Sequence, residues 1–89
     1  MVKEIIFDST SPAWEDDWLH NQFYLTRVMD MIWEILNYKG YIYLDKIYDL
    51  LGVKWNPDDE NTCYRITDKF HTNFGTDEDG TIIVYVGII

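Results

Sequence analysis

The sequence has few of the residues that covalent or metal chemistry needs. Its 89 residues include one cysteine and two histidines. A single cysteine excludes an intramolecular disulfide, and Cys63, His20 and His71 are too few soft ligands to close a structural zinc site. We interpret Cys63 as a small buried apolar group on a strand, because no motif orients it with His71 as a nucleophile and base. The sequence therefore predicts no catalytic residue, no metal and no cofactor, and an enzyme is the least favoured class.

Basic residues are also scarce. Seven Lys and Arg stand against 16 Asp and Glu, which gives a formal net charge of −9 with neutral histidines. A protein that binds nucleic acid directly needs a basic footprint to displace phosphate counterions, and the chain has no run of Lys or Arg. Acidic charge equally disfavours anionic membrane surfaces. The excess acid either keeps the protein soluble or faces a basic partner, and both interpretations stay open.

Long apolar runs are missing as well. The first seven residues carry Lys3 and Glu4 and are not expected to be a signal peptide. The longest apolar run, 82–89, contains Gly87 and is too short to span a bilayer. Against these absences, 47% of the residues are hydrophobic and 17% are aromatic, which is more core-forming material than a disordered chain has. We expect one folded domain, residues 1–89, in the cytoplasm of a host cell.

Hydrophobic periodicity predicts two helices. The clearest is a long amphipathic helix over 17–39, which Gly40 ends in a left-handed conformation. A shorter helix is predicted over 44–51. Leu19 and Phe23 lie off the apolar stripe of the long helix, so we expect them to meet the preceding loop or to form part of a contact surface. The stripe itself consists of Trp18, Leu25, Val28, Met29, Ile32, Ile35 and Leu36.

Three strands complete the predicted fold. Residues 2–7 carry one charge of each sign, which suits an edge strand, and residues 62–67 form a second strand. Residues 81–86 are β-branched and aromatic, so we expect a central strand with both faces covered. A turn is predicted over 77–80, whereas 68–76 is ambiguous. The predicted class is α+β: one long and one short helix packed on a small, mainly antiparallel three-stranded sheet.

Two known motifs are present only in part. Asp77, Asp79 and Gly80 resemble the middle of a calcium-binding loop, but that loop's first and twelfth ligands are missing, so a hairpin turn is favoured. Two helices and a later hairpin also follow the order of a winged helix, which reads DNA with a further helix. Here that segment, 56–60, is an acidic loop that phosphate would repel. A degenerate winged helix used for protein contact stays open.

Three acidic clusters remain, at residues 15–17, 58–60 and 77–79. Tryptophans adjoin two of them, and aromatic residues beside charge are typical of interface anchors. Clusters that converged on one face would imitate the phosphate track of a nucleic acid. The predicted partner-binding residues are Trp14, Asp16, Asp17, Trp55, Asp58, Asp59, Glu60, Asp77, Glu78 and Asp79.

A resemblance to a protein family rests on residues 40–52 and 83–87, which read GYIYLDKIYDLLG and IVYVG. The pattern is a helix, a Gly-aromatic link, an L-x-x-[VI]-Y-x-x-L-G helix and a terminal strand, and it covers roughly residues 23–89. In these features the chain resembles small uncharacterised proteins encoded by phages and prophages of Gram-positive bacteria. It departs from the family's Gly-Trp near residue 64, where Cys63-Tyr64 stands. The resemblance implies a phage setting and carries over no functional residue. The matching positions are Leu44, Ile47, Tyr48, Leu51 and Gly52.

The sequence favours one function and leaves an alternative. The favoured function is a phage-encoded inhibitor, similar to an anti-CRISPR protein, that binds a basic host protein which handles nucleic acid. Basic channels would attract an acidic surface quickly and in a salt-dependent manner. The alternative is a self-associating phage assembly protein, because the apolar strand 82–89 would leave an adherent edge if nothing covered it. A homodimer is compatible with that alternative.

Overall fold

The computed structural model describes residues 2–54, 56–59 and 61–88, and it confirms the predicted α+β class. One long and one short helix accompany a mainly antiparallel three-stranded sheet and a separate two-stranded sheet. A single 3-10 turn at Pro57–Asp59 takes the place of the further helix that a winged helix would need. The elements are β1 (Val2–Phe7), α1 (Trp18–Lys39), β2 (Tyr41–Tyr43), α2 (Leu44–Leu51), β3 (Cys63–Arg65), β4 (Phe70–Thr76) and β5 (Ile82–Ile88).

The three-stranded sheet has the order β1-β5-β4, with both neighbours antiparallel to β5. β1 therefore lies at an edge and β5 at the centre, as predicted. The third strand differs from the prediction, because it is β4, within the ambiguous segment 68–76. The strand predicted over 62–67 shortens to β3, which pairs with β2 in the two-stranded sheet.

The inner face of the sheet holds the core. Ile82, Val84 and Val86 of β5 are buried, and the register sets Phe7 and Ile5 of β1 beside the first two. The alternate residues of β5, Ile83 and Tyr85, point to the other face and are half-buried. The inner face of the central strand is therefore covered as predicted, whereas the outer face is covered only in part. The outward residues of β5 are β-branched or aromatic too, so composition alone did not separate the two faces.

α1 begins and ends where its capping residues predict. The Asp17 carboxylate accepts a hydrogen bond from the Leu19 amide at 3.0 Å, and Gly40 closes the helix with φ of 83°. The middle of the predicted stripe is buried, whereas Trp18 is exposed. Trp18 is the first helical residue and precedes the part of α1 that packs on the sheet. The buried stripe residues are Leu25, Val28, Ile32 and Leu36.

α1 runs antiparallel to β4. The Thr72 hydroxyl donates to the Met29 sulfur at 3.2 Å, and the rings of Trp33 and Phe70 meet edge to face with centroids 5.4 Å apart. The residue number rises along α1 as it falls along β4. The first turn of α1 therefore lies at the end of the sheet where β4 enters the turn to β5.

The loop between β1 and α1 is bonded to α2, and α1 is bonded to α2 as well. The Ser11 hydroxyl donates to the Leu51 carbonyl at 2.7 Å, and the Tyr24 hydroxyl donates to the Leu50 carbonyl. The ring of Phe7, which is fully buried, stacks on that of Tyr24. These contacts join the end of β1 to α1 and to α2.

A pair of glycine substitutions tests one of these contacts. Gly40 and Gly52 both have positive φ, so alanine at either position costs about 1 to 2 kcal/mol. A Cβ at Gly40 would meet nothing within 4 Å, whereas a Cβ at Gly52 would lie 2.8 Å from the Ser11 hydroxyl oxygen. We expect Gly52→Ala to lower the free energy of unfolding further than Gly40→Ala, by about 1 to 3 kcal/mol, because the buried Ser11–Leu51 bond is disturbed.

Urea unfolding of the two variants measures this difference, with Gly40→Ala as the matched control. Equal losses in the two variants would show that the Ser11 contact contributes nothing to stability.

Candidate interaction surface

Two of the three predicted acidic clusters lie at one end of the three-stranded sheet. Phe7 and Thr76 both pair with Ile82, so the loop after β1 and the turn after β4 leave the sheet at the same end. The first turn of α1 lies at that end too. We call this surface the acidic end and define it by Glu15, Asp16, Asp17, Asp77, Glu78 and Asp79.

A buried asparagine positions the first of these clusters. Asn21 on α1 is buried, and its side-chain amide donates to the Glu15 carbonyl at 2.7 Å. Its side-chain oxygen accepts from the Glu15 amide at 3.1 Å. The pair of hydrogen bonds satisfies the buried side chain and fixes the backbone of Glu15. Nothing in the hydrophobic pattern indicated this role, because Asn21 interrupts the apolar stripe.

Two of the predicted binding carboxylates are engaged within the fold. Asp17 caps α1, and one Asp77 carboxylate oxygen accepts from the amides of Asp79 and Thr81, each at 2.9 Å. The predicted turn over 77–80 is confirmed, and Asp77 is the residue that holds it. Asp17 and Asp77 thus shape the acidic end, while the remaining members present their charge to solvent.

Four exposed carboxylates remain at the acidic end. No hydrogen bond or ion pair within the described part of the chain engages these side chains, and their exposure leaves them available to a partner. Because these like charges lie at one end of the molecule, their potentials add over that surface. The four residues are Glu15, Asp16, Glu78 and Asp79.

Apolar side chains adjoin these charges. Trp18 is 48% exposed and Leu19 is 57% exposed, both in the first turn of α1. Leu19 is thus exposed, and its place in a contact surface stays a prediction. Trp14, the predicted anchor, is half-buried against Phe7 with ring centroids 5.7 Å apart. The other predicted anchor, Trp55, lies outside the described residues.

Asp58, the described side chain of the third acidic cluster, lies on another side of the molecule. The Asp58 amide donates to the Asn56 side-chain oxygen at 3.1 Å, and Asn56 lines a shallow depression along β1. Further on, Thr62 lies near Val2, at the end of β1 remote from the acidic end. The structure therefore places Asp58 of this cluster near β1. Glu60 lies outside the described residues, as does the side chain of Asp59.

The structure brings no catalytic group together among the described residues. Cys63 is half-buried on β3, less than its prediction as a buried group, and it lines a depression with Leu44 and Tyr64. His71 lies on the outer face of β4, opposite Gly87 of β5. No group of three or more His, Cys, Asp and Glu side chains within the described ranges is placed to hold a metal ion.

Comparison of the chain with protein-family models, with curated proteins and with solved structures found no match. Over residues 2–54, 56–59 and 61–88, no helix combines the length and the apolar character needed to cross a membrane. The exposed charges and apolar side chains of the surface are therefore the basis for a functional proposal.

A titration tests how the loop after β1 is held. The Thr10 hydroxyl and the Thr10 amide donate to one Asp8 oxygen at 2.6 and 3.0 Å, and these bonds hold the pKa of Asp8 below its ordinary value of 3.8. A lowered pKa contributes stability above the unfolded value, and that stability is lost as pH falls through the folded value. We expect Thr10→Val to raise the pKa of Asp8 and to reduce stability at neutral pH but not below the folded pKa.

NMR titration of the Asp8 carboxyl carbon measures this shift, and Thr26→Val is a control that removes an exposed hydroxyl elsewhere. An unchanged pKa of Asp8 in the Thr10→Val protein would contradict the assignment.

Proposed function

We propose that this chain is a phage-encoded protein-binding inhibitor whose acidic end binds a basic host protein that handles nucleic acid, such as a CRISPR effector. The observation that carries the proposal is that Glu15, Asp16, Glu78 and Asp79 lie at the same end of the fold as the exposed Trp18 and Leu19. These residues come from two separate segments, which reach the same end only in the folded protein.

The composition of the acidic end suits such a partner. Carboxylates that are free of internal hydrogen bonds can meet the Lys and Arg side chains that otherwise hold phosphates. Their summed field raises the association rate and makes it sensitive to salt. Trp18 adds the large, partly apolar contact area on which binding energy concentrates at interfaces.

Inhibition would follow because the bound protein occupies the nucleic-acid channel of its partner. A protein seated in a basic nucleic-acid channel excludes the nucleic acid from the same positive charges, and it needs no catalytic residue to do so. The net charge of −9 agrees with this role, and the resemblance to phage proteins supports a host defence protein as the target. Full convergence of all three acidic clusters is not needed, because two clusters and the apolar pair already form one surface.

The alternative assembly function was suggested by a free strand edge that β5 does not have. It rested on an adherent edge formed by strand 82–89, but β5 is paired along both sides, to β1 and to β4. The described part of that strand therefore offers no free edge.

A charge-reversed variant tests the proposed function. We expect substitution of the four free carboxylates with lysine to weaken capture of the partner from host lysate at low salt by at least about tenfold. The matched control reverses four other exposed acids and changes the net charge equally: Glu4, Glu34, Asp45 and Asp49. Asp17 and Asp77 stay unchanged in both proteins, because they hold the fold.

The tagged protein and both variants are incubated with host lysate, washed at low and then high salt, and the captured proteins are identified by mass spectrometry. One basic nucleic-acid-binding protein, released by salt and lost only in the acidic-end variant, is the expected result. Equal capture by the acidic-end variant would refute the proposal.

A further inference from the structure

The outer edge of β4 lacks the usual protection of an edge strand. β4 is seven residues long and contains no Lys, Arg, Asp, Glu or Pro. β1, at the other edge of the sheet, carries Lys3 and Glu4. Proteins commonly place charge or proline on exposed edges because unpaired backbone groups there attract another strand. The uncharged edge of β4 is therefore suited to pairing.

One hydrogen bond shows which backbone groups face outward. The Asp77 amide donates to the Thr81 carbonyl at 3.0 Å, so Asp77 faces β5. The Phe74 amide, three residues earlier, donates to the side-chain oxygen of Asn73 at 2.8 Å. In an antiparallel strand, the N–H and C=O of one residue face the same neighbour, and successive residues alternate. The outward groups of β4 therefore belong to Phe70, Thr72, Phe74 and Thr76.

We infer that the partner of this edge is a second copy of the chain, whose β4 pairs antiparallel with the first about a two-fold axis at Asn73. This register sets Thr72 opposite Phe74 of the second copy and Phe70 opposite Thr76. Every outward-facing residue then meets another outward-facing residue, and all seven positions of the strand are paired. The two sheets become one continuous six-stranded sheet.

Charge complementarity supports this register. Lys69 immediately precedes β4 and Asp77 immediately follows it. A two-fold axis at Asn73 brings Lys69 of each copy beside Asp77 of the other, once at each end of the paired strands. Opposite charges on adjacent strands stabilise the pairing, and here they counter the repulsion between two acidic chains. An axis at Thr72 would instead set Lys69 opposite Gly75.

The exposed side of α1 provides a second, independent observation. Leu19, Thr26 and Trp33 recur every seven residues and so form one stripe along the helix. All three are exposed, Trp33 by 38%. Because the Trp33 ring touches Phe70 of β4, the stripe lies on the side of α1 next to the open edge.

The centre of this stripe is level with the centre of β4. Met29 contacts Thr72. Thr26 lies three residues before Met29, about 4.5 Å along the helix, and Asn73 lies one residue after Thr72, about 3.4 Å along the strand. Because α1 and β4 are antiparallel, both displacements have the same direction. The axis that pairs the strands would therefore pass near Thr26 and set Leu19 against Trp33 of the second copy.

A cysteine at the axis tests the dimer directly. In the proposed register Asn73 faces its own counterpart in a non-hydrogen-bonded pair, where Cα atoms lie about 4.5 Å apart and a disulfide can form. In a Cys63→Ser background, we expect Asn73→Cys to form a disulfide-linked dimer under mild oxidation. Lys54→Cys, an exposed position near β1, is the matched control and should form little disulfide-linked dimer. Failure of Asn73→Cys to cross-link faster than the control would overturn the inference.

A single proline substitution tests the backbone pairing of β4 with the second copy. The Thr72 amide faces outward, so Thr72→Pro removes a donor to the second copy and leaves the ladder to β5 intact. Thr72→Val keeps the amide and removes only the hydroxyl that contacts Met29. By gel filtration with light scattering we expect twice the chain mass of 10.7 kDa for the parent and Thr72→Val at tens of micromolar, and a monomer for Thr72→Pro. A dimeric Thr72→Pro protein would show that β4 is not the interface.

The effect of added salt distinguishes the proposed dimer from the proposed binding of a basic partner. Screening reduces repulsion between two chains of charge −9, so added salt should strengthen the dimer, whereas it should release a basic partner from the acidic end. Lys69→Glu should weaken the dimer more than Lys54→Glu, which changes the net charge equally. A parent protein that stays monomeric at high salt would overturn the dimer and leave the proposed function untouched.

Discussion

The pairing of β5 on both of its sides is the constraint on which the rest of the structure depends. β5 is the last element of the chain, and it joins β1, the first, to β4. Neither β1 nor β4 has another strand partner among the described residues, and the buried residues of β5 lie at the centre of the apolar surface that the sheet offers to the core, between those of β1 and β4. Because this pairing connects residues far apart in sequence, the sheet forms only when β1 and β5 come together.

The helices could be predicted from sequence because their signals are local. The stripe around Leu25 and Ile32 and the glycine that ends each helix lie within the segments they define. β4 could not be predicted, since Thr72, Asn73 and Gly75 dilute its apolar residues and its pairing with β5 decides its conformation. The same reason explains why 62–67 was assigned to the wrong sheet.

The candidate site was predictable in its parts and not in its arrangement. The acidic clusters are visible in the sequence, but their meeting depends on the register that pairs both Phe7 and Thr76 with Ile82. Their members also divide into roles that composition does not show. Asp17 and Asp77 bind backbone amides, and the signal for Asp17 was its place just before the helix. Trp18 looked like a core residue because its periodicity continues beyond the sheet that α1 covers.

The two proposed surfaces share Leu19, which the dimer would cover, but they otherwise lie in different directions from the core and are therefore compatible. The acidic end terminates the strands, whereas the open edge of β4 runs along them. In an antiparallel dimer the two acidic ends would point in opposite directions, with Lys69 of each copy near the turn that carries Glu78 of the other. Such a dimer would present two separate acidic surfaces, so it could hold two partner molecules or bridge two basic sites, and bridging would raise apparent affinity without any new contact. In the dimer, Lys69 of one copy would neutralise part of the negative charge beside the acidic end of the other. Each acidic end would then bind a basic partner less strongly than in the monomer, but the dimer would carry two such ends.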